Sequence, residues 1–147
     1  MMYKLEQIEG ISPFFADELG KVDIKSFEDL LIRLATDDGR RDVATKTGLP
    51  LNQLTAWFHR ADLMRINGIG SEFGQLLEAS GVPSVEALAS KDPSNLENLL
   101  TRVNAANRLT RNTPSMRTIA KWIAEAKTLV HAPVAHADHA QIAAVGA

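Results

Sequence analysis

The sequence is written twice. Displaced by 58 residues, LEQIEGISPFFADELGKVDIKSFEDL, which begins at Leu5, lies over LMRINGIGSEFGQLLEASGVPSVEAL, which begins at Leu63. Nine positions are identical, among them the pairs Ile8/Ile66, Gly10/Gly68, Ile11/Ile69, Phe15/Phe73, Leu19/Leu77 and Ser26/Ser84. Further along the displacement becomes 65, and LTAWFHRA meets IAKWIAEA, so that Trp57 pairs with Trp122 and Ala61 with Ala126. A repeat of this kind means one supersecondary unit used twice. The change from 58 to 65 puts a seven-residue insertion between about residues 88 and 114.

The unit reads as helical. No run alternates with period two between hairpin turn residues, so strands are not expected. Helix punctuation is dense. Ser12-Pro13 and Asp92-Pro93 read as N-cap followed by N1, and Thr113-Pro114 reads the same way. Ser26 with Asp29, and Ser84 before Glu86, place acceptors and acids in first turns. Thr36 opens a helix that Gly48 closes, and Pro50 starts another. Gly81 and its counterpart Asp23 stand where a helix ends in a left-handed residue. The run from Leu51 to about Ile66 has no breaker, which predicts a last helix of the first copy continuing as the first helix of the second. The expected fold is all-α, with two tandem repeats, 1–64 and 65–130, packed as one compact unit. The Ala- and His-rich tail 131–147 is expected to be disordered.

Composition removes several function classes. The chain of 147 residues has no Cys, which excludes disulfides, iron–sulfur clusters, zinc knuckles and thiol chemistry. No apolar run reaches the ~20 residues that span a bilayer. The start, MMYKLEQIEG, does not resemble a secretory signal, so a cytoplasmic protein without a membrane partner is expected. Net charge is −2, which opposes strong nucleic-acid binding. The charge is unevenly spread, however. Residues 1–35 carry 4 basic and 7 acidic side chains, and residues 102–130 carry 6 and 1.

The chemistry-bearing stretch is RINGIGSEFGQLLEASGV, Arg65 to Val82. Gly68 can take a positive φ and turn the chain, Ile69 can pin the turn to the core, and Gly70 can admit a close backbone. The helix that follows offers free N–H groups and the positive end of its dipole. INGIGSEFGQLLEASGVPSVEALA resembles the helix–hairpin–helix motif. In its DNA-binding members, the resemblance implies, such amides hold a backbone phosphate without reading sequence. Residues 3–130 also resemble an uncharacterised bacterial family built of two such tandem halves, with ADLMRINGIGSEF the most specific part. That resemblance implies an all-α fold of helix–hairpin–helix (SAM-like) architecture and brings no activity. In the first copy, IEGISPFF, Ser12 replaces the second glycine, Pro13 removes an N–H and Glu9 adds negative charge. That copy is expected to be structural. Glu72 competes for the dipole in the second.

The candidate nucleic-acid contacts are therefore Arg65, Asn67, Gly68, Ile69, Gly70 and Ser71 at the hairpin. The basic block adds Arg102, Arg108, Arg111, Arg117 and Lys121, with Asn104, Asn107 and Asn112 interleaved. A rival pattern is RRDVATKTGLPLNQLTAWFHRADL. Ala44, Gly48 and Leu54 have helix-turn-helix spacing, which would offer Asn52, Gln53, Thr55 and His59 to bases and Arg40, Arg41, Lys46 and Arg60 to phosphates. Trp57 and Trp122, in matching positions, are read as core anchors.

No catalytic fingerprint is present, whether a Walker loop, Gly-x-Ser-x-Gly or His-Glu-x-x-His. Val22-Asp23 lies at a helix stop and is not placed like a catalytic Asp. His131, His136 and His139 sit in a tail that would not preorganise a metal site, and His59 is expected on a helix surface. The expected function is a non-enzymatic module without cofactor, metal or small-molecule substrate. It would bind DNA or RNA backbone weakly and without sequence preference. Two alternatives stand beside it: a protein-interaction or scaffolding subunit of a larger assembly, and a helix-turn-helix regulator.

Overall fold

The computed structural model describes residues 3–131. Among these, a short 3-10 turn (Leu5–Gln7) precedes eight α-helices and no strand occurs. The helices are α1 (Pro13–Gly20), α2 (Phe27–Leu34), α3 (Asp37–Thr47), α4 (Leu51–Leu63), α5 (Ser71–Ala79), α6 (Val85–Ala89), α7 (Pro93–Asn107) and α8 (Met116–His131). The tail reading concerns residues that, apart from His131 at the end of α8, lie outside the described ones.

The described chain divides into two compact units, 3–61 and Asp62–His131. The helix from Leu51 stops at Leu63 instead of reaching Ile66. Single-turn bonds take over there: Arg65 N–H donates to Asp62 O at 3.2 Å and Ile66 N–H to Leu63 O at 3.1 Å.

The repeat in sequence is a repeat in hydrogen bonds. In the first unit Ile8 N–H donates to Leu5 O at 3.0 Å and Ile11 N–H to Ile8 O at 3.1 Å. Fifty-eight residues later, Ile66 meets Leu63 at 3.1 Å and Ile69 meets Ile66 at 3.0 Å. After α1, Ile24 N–H reaches Leu19 O at 3.0 Å; after α5, Val82 N–H reaches Leu77 O at 2.8 Å. Backbone angles follow. Gly10 and Gly68 have φ of 96° and 93°, and Asp23 and Gly81 have 67° and 80°.

The caps form largely where acceptors precede apolar runs. Ser12, Ser26, Thr36, Ser84 and Asp92 each accept from an N–H in the first turn that follows. Ser26 and Asp29 complete a reciprocal box, with Asp29 accepting from both Lys25 and Ser26 N–H. Thr113-Pro114 is an exception. Ser115 Oγ accepts from Thr118 N–H at 3.2 Å, so α8 begins two residues later than expected, and Pro114 is buried ahead of it.

Each unit has its own core. Ile8, Leu19, Ile24, Leu30, Leu34, Leu54 and Trp57 are fully enclosed in the first. In the second, α8 packs on α6 and α7, and α5 packs on α7, around Ile66, Ile69, Leu76, Leu88, Ile119 and Trp122. Both tryptophans are core anchors, with Phe15–Trp57 and Phe73–Trp122 ring centroids each 5.3 Å apart.

The insertion divides between a helix and a loop. At the displacement of 58, α7 ends two residues later than α3 does. The connection 108–115 is then five residues longer than the three-residue connection 48–50 of the first unit.

Candidate functional site

The second glycine corner is held from below. Trp122 Nε1 lies 3.2 Å from the position a β-carbon on Gly68 would occupy, and Gly68 itself has φ of 93°. Both facts require glycine at 68, for a close approach and for a left-handed backbone. The Ile69 side chain is fully enclosed in the core, so it anchors the corner and offers nothing to a ligand.

Gly70 is different. Its φ of −97° and ψ of −165° are open to any residue, and nothing lies within 4 Å of where its β-carbon would be. The expected close backbone is therefore not there. The missing side chain leaves open space ahead of α5. Gly70 is the N-cap of that helix and supplies no side-chain acceptor, so the first-turn amides of α5 carry no side-chain cap.

That space is one wall of a shallow cavity of about 440 Å³. Gly68, Gly70, Ser71, Glu72 and Phe73 line one side, and Thr110, Arg111 and Asn112 line the other. The second wall belongs to the inserted connection, and it is braced. Thr110 N–H donates to Asn104 Oδ1 at 2.9 Å, while Asn104 Nδ2 donates back to Thr110 O at 3.0 Å. Thr110 Oγ1 donates to Asn112 O at 2.8 Å, and Thr110 is only 8% exposed. Arg108 caps α7 in the left-handed region, with φ of 51°, which turns the chain into the connection.

The sequence-selected residues thus separate. Gly68, Gly70, Ser71 and Arg111 share the cavity. Arg65 does not join them: its guanidinium is paired with Asp62 at 2.8 Å, and both side chains are largely buried. Asn67 donates its N–H to Glu125 Oε1 at 3.2 Å. Arg102, Arg108, Arg117 and Lys121 are exposed but do not line the cavity. Arg117 borders another hollow, with Asp92, Pro93 and Met116. Sequence reasoning missed Phe73 and Thr110 as cavity walls. The signal that could have found Thr110 was the insertion itself, which falls on this connection.

The first corner repeats the frame with different chemistry. Trp57 Nε1 lies 3.0 Å from the β-carbon position of Gly10 and is buried without a hydrogen-bond partner. Here Ser12 caps α1, accepting from Phe15 N–H at 3.4 Å, and Pro13 occupies N1. Arg60 donates to Glu9 O at 2.8 Å, where the second unit has Glu125 accepting from Asn67.

The helix-turn-helix segment is helical on both sides of Gly48, whose φ of 78° closes α3. Most of its cations are engaged within the protein. Arg40 donates to Leu34 O and Asp37, Lys46 pairs with Asp42, and Arg60 holds Glu9. His59 is not a plain surface residue. It is half-buried against Phe58, and its Nδ1 is buried without a partner.

Among the described residues no cluster of His, Asp or Glu could hold a metal; His136 and His139 lie outside them. No helix among them is long and apolar enough to cross a membrane. No curated protein and no solved structure matches the chain. One family model does, over residues 9–129: the chain belongs to the domain-of-unknown-function family DUF4332.

Proposed function

We propose that each copy is a helix–hairpin–helix unit and that the second holds a nucleic-acid backbone phosphate at Gly68–Phe73, with Arg111 as its cation. The observation that carries this reading is Gly70. Neither backbone angle nor packing demands a glycine there, yet its bareness keeps an uncapped helix N-terminus open to a cavity that Arg111 lines. Anions are stabilised at such a terminus by oriented N–H groups and by the helix dipole.

Such a site is weak and blind to sequence. Backbone amides contact phosphate, not base edges. Glu72 lines the same cavity, and the chain is acidic overall. The first corner is the structural copy, because Ser12 already satisfies an amide and Pro13 lacks one. The module positions nucleic acid and catalyses nothing.

Fluorescence anisotropy of labelled duplex and single-stranded DNA and RNA with the full chain tests this. Binding that weakens as salt rises and is indifferent to sequence supports the reading. No binding at low salt refutes it.

A further inference from the structure

We propose that copies of this chain associate head to tail, the ring of Phe14 on one copy entering the hollow between the first turns of α7 and α8 on the next. Phe14 is 64% exposed on the first turn of α1. The repeat does not require an apolar residue at that place, since the counterpart 58 residues on is Glu72. Asp17, one turn along α1, is also exposed.

The receiving hollow has a volume of about 390 Å³ and is lined by Pro93, Met116 and Ala120, with Asp92 and Arg117 at its sides. The hollow is open to solvent and its volume is larger than a phenyl ring. Met116 is 48% exposed there, an apolar side chain with solvent where a partner could lie. Arg117 and Lys121 stand one turn apart on α8, both exposed.

A second copy is the occupant because one chain carries both halves of the match. Residues 1–35, which hold the ring, have 7 acidic side chains against 4 basic. Residues 102–130, which form much of the hollow, have 6 basic against 1 acidic. Asp17 faces Arg117 and Lys121 in such a pairing, and the guanidinium gains a ring to stack on. Knob and hollow are different surfaces, so the contact is heterologous and extends into chains or rings. It uses Arg117 and Lys121, which the phosphate cavity leaves aside, and it stands independently of that reading.

Sedimentation equilibrium of the full chain from micromolar to near-millimolar concentration tests it. The average mass should rise with concentration and fall again with added salt. Phe14→Asp and Ala120→Trp, both exposed positions, should each weaken association by at least about tenfold, a Kd change worth roughly 1.4 kcal/mol. Mixed in equal amounts, these two variants should form dimers and nothing larger, since one intact ring meets one intact hollow. Asp17→Lys and Arg117→Glu should likewise weaken association singly and pair when mixed. A wild-type chain that stays monomeric throughout, or variants that fail to pair on mixing, overturns the proposal.

Discussion

Trp122 sits under Gly68, its indole nitrogen 3.2 Å from where a β-carbon would be, and Trp57 sits under Gly10 in the same way at 3.0 Å. The two identities that stand out in the repeat, glycine and tryptophan, are thus one contact made twice. Each contact ties the last long helix of a unit to its glycine corner.

Gly68→Ala and Gly10→Ala should therefore each cost about 1–3 kcal/mol, combining left-handed strain with a forced shift of the indole. Urea denaturation of the full chain, followed by tryptophan fluorescence, measures both. A loss below about 0.5 kcal/mol for either would mean that the corner relaxes freely and the contact does not set it.

The caps differ between copies in a way that stability should report. Ser26 belongs to a two-way box with Asp29, whereas Ser84 faces Ala87 and caps alone. Ser84→Ala should cost about 1 kcal/mol. Asp29→Ala should cost a similar amount in the first unit, because it removes the acceptor of Lys25 and Ser26 N–H. Ala87→Gly has no such bond to lose and should cost about 1 kcal/mol, from helix propensity and the loss of a partly buried methyl.

Arg65 is engaged within the protein by Asp62 at 2.8 Å. Arg65→Ala removes this largely buried charge-assisted hydrogen bond and should lower stability by about 2 kcal/mol. Once binding is corrected for the folded fraction, the same variant should hold nucleic acid as well as the wild type does. A selective loss of binding with intact stability would return Arg65 to the site.

How much was legible beforehand depended on range. Helix starts at Ser12, Ser26, Thr36, Ser84 and Asp92 were readable because a cap acts over three residues. Thr113-Pro114 misled for the same reason: Ser115 is an equally good cap two residues later, and burial of Pro114 decides between them. The Gly–Trp contacts were hidden although both partners had been singled out, because nothing in a repeat says which of its members touch. At the site, Gly70 was expected to admit a backbone and instead borders open space. Of the basic block, Arg111 lines the cavity, whereas Arg102, Arg108, Arg117 and Lys121 do not. A charge count along a chain ignores which way a helix and its loop turn each side chain.

The connection that carries Arg111 is held at a distance by Asn104. Asn104→Ala removes both bonds to Thr110 and should cost about 1–2 kcal/mol. It should also weaken nucleic-acid binding, although Asn104 does not line the cavity. Anisotropy and denaturation on the same preparation separate the two effects, and binding unchanged in the folded variant would show that the loop's position is immaterial.

Gly70→Asp separates a phosphate site at the N-terminus of α5 from a purely structural corner. The β-carbon of an aspartate there meets no atom within 4 Å, the residue needs no unusual backbone angle, and its carboxylate provides the acceptor that α5 lacks. Stability should be unchanged or raised by up to about 1 kcal/mol. Salt-sensitive binding of labelled DNA should fall at least about tenfold, because a carboxylate now occupies the phosphate's place. A Gly70→Asp protein that binds as tightly as the wild type would place no phosphate at α5 and leave the second corner as a device of folding alone.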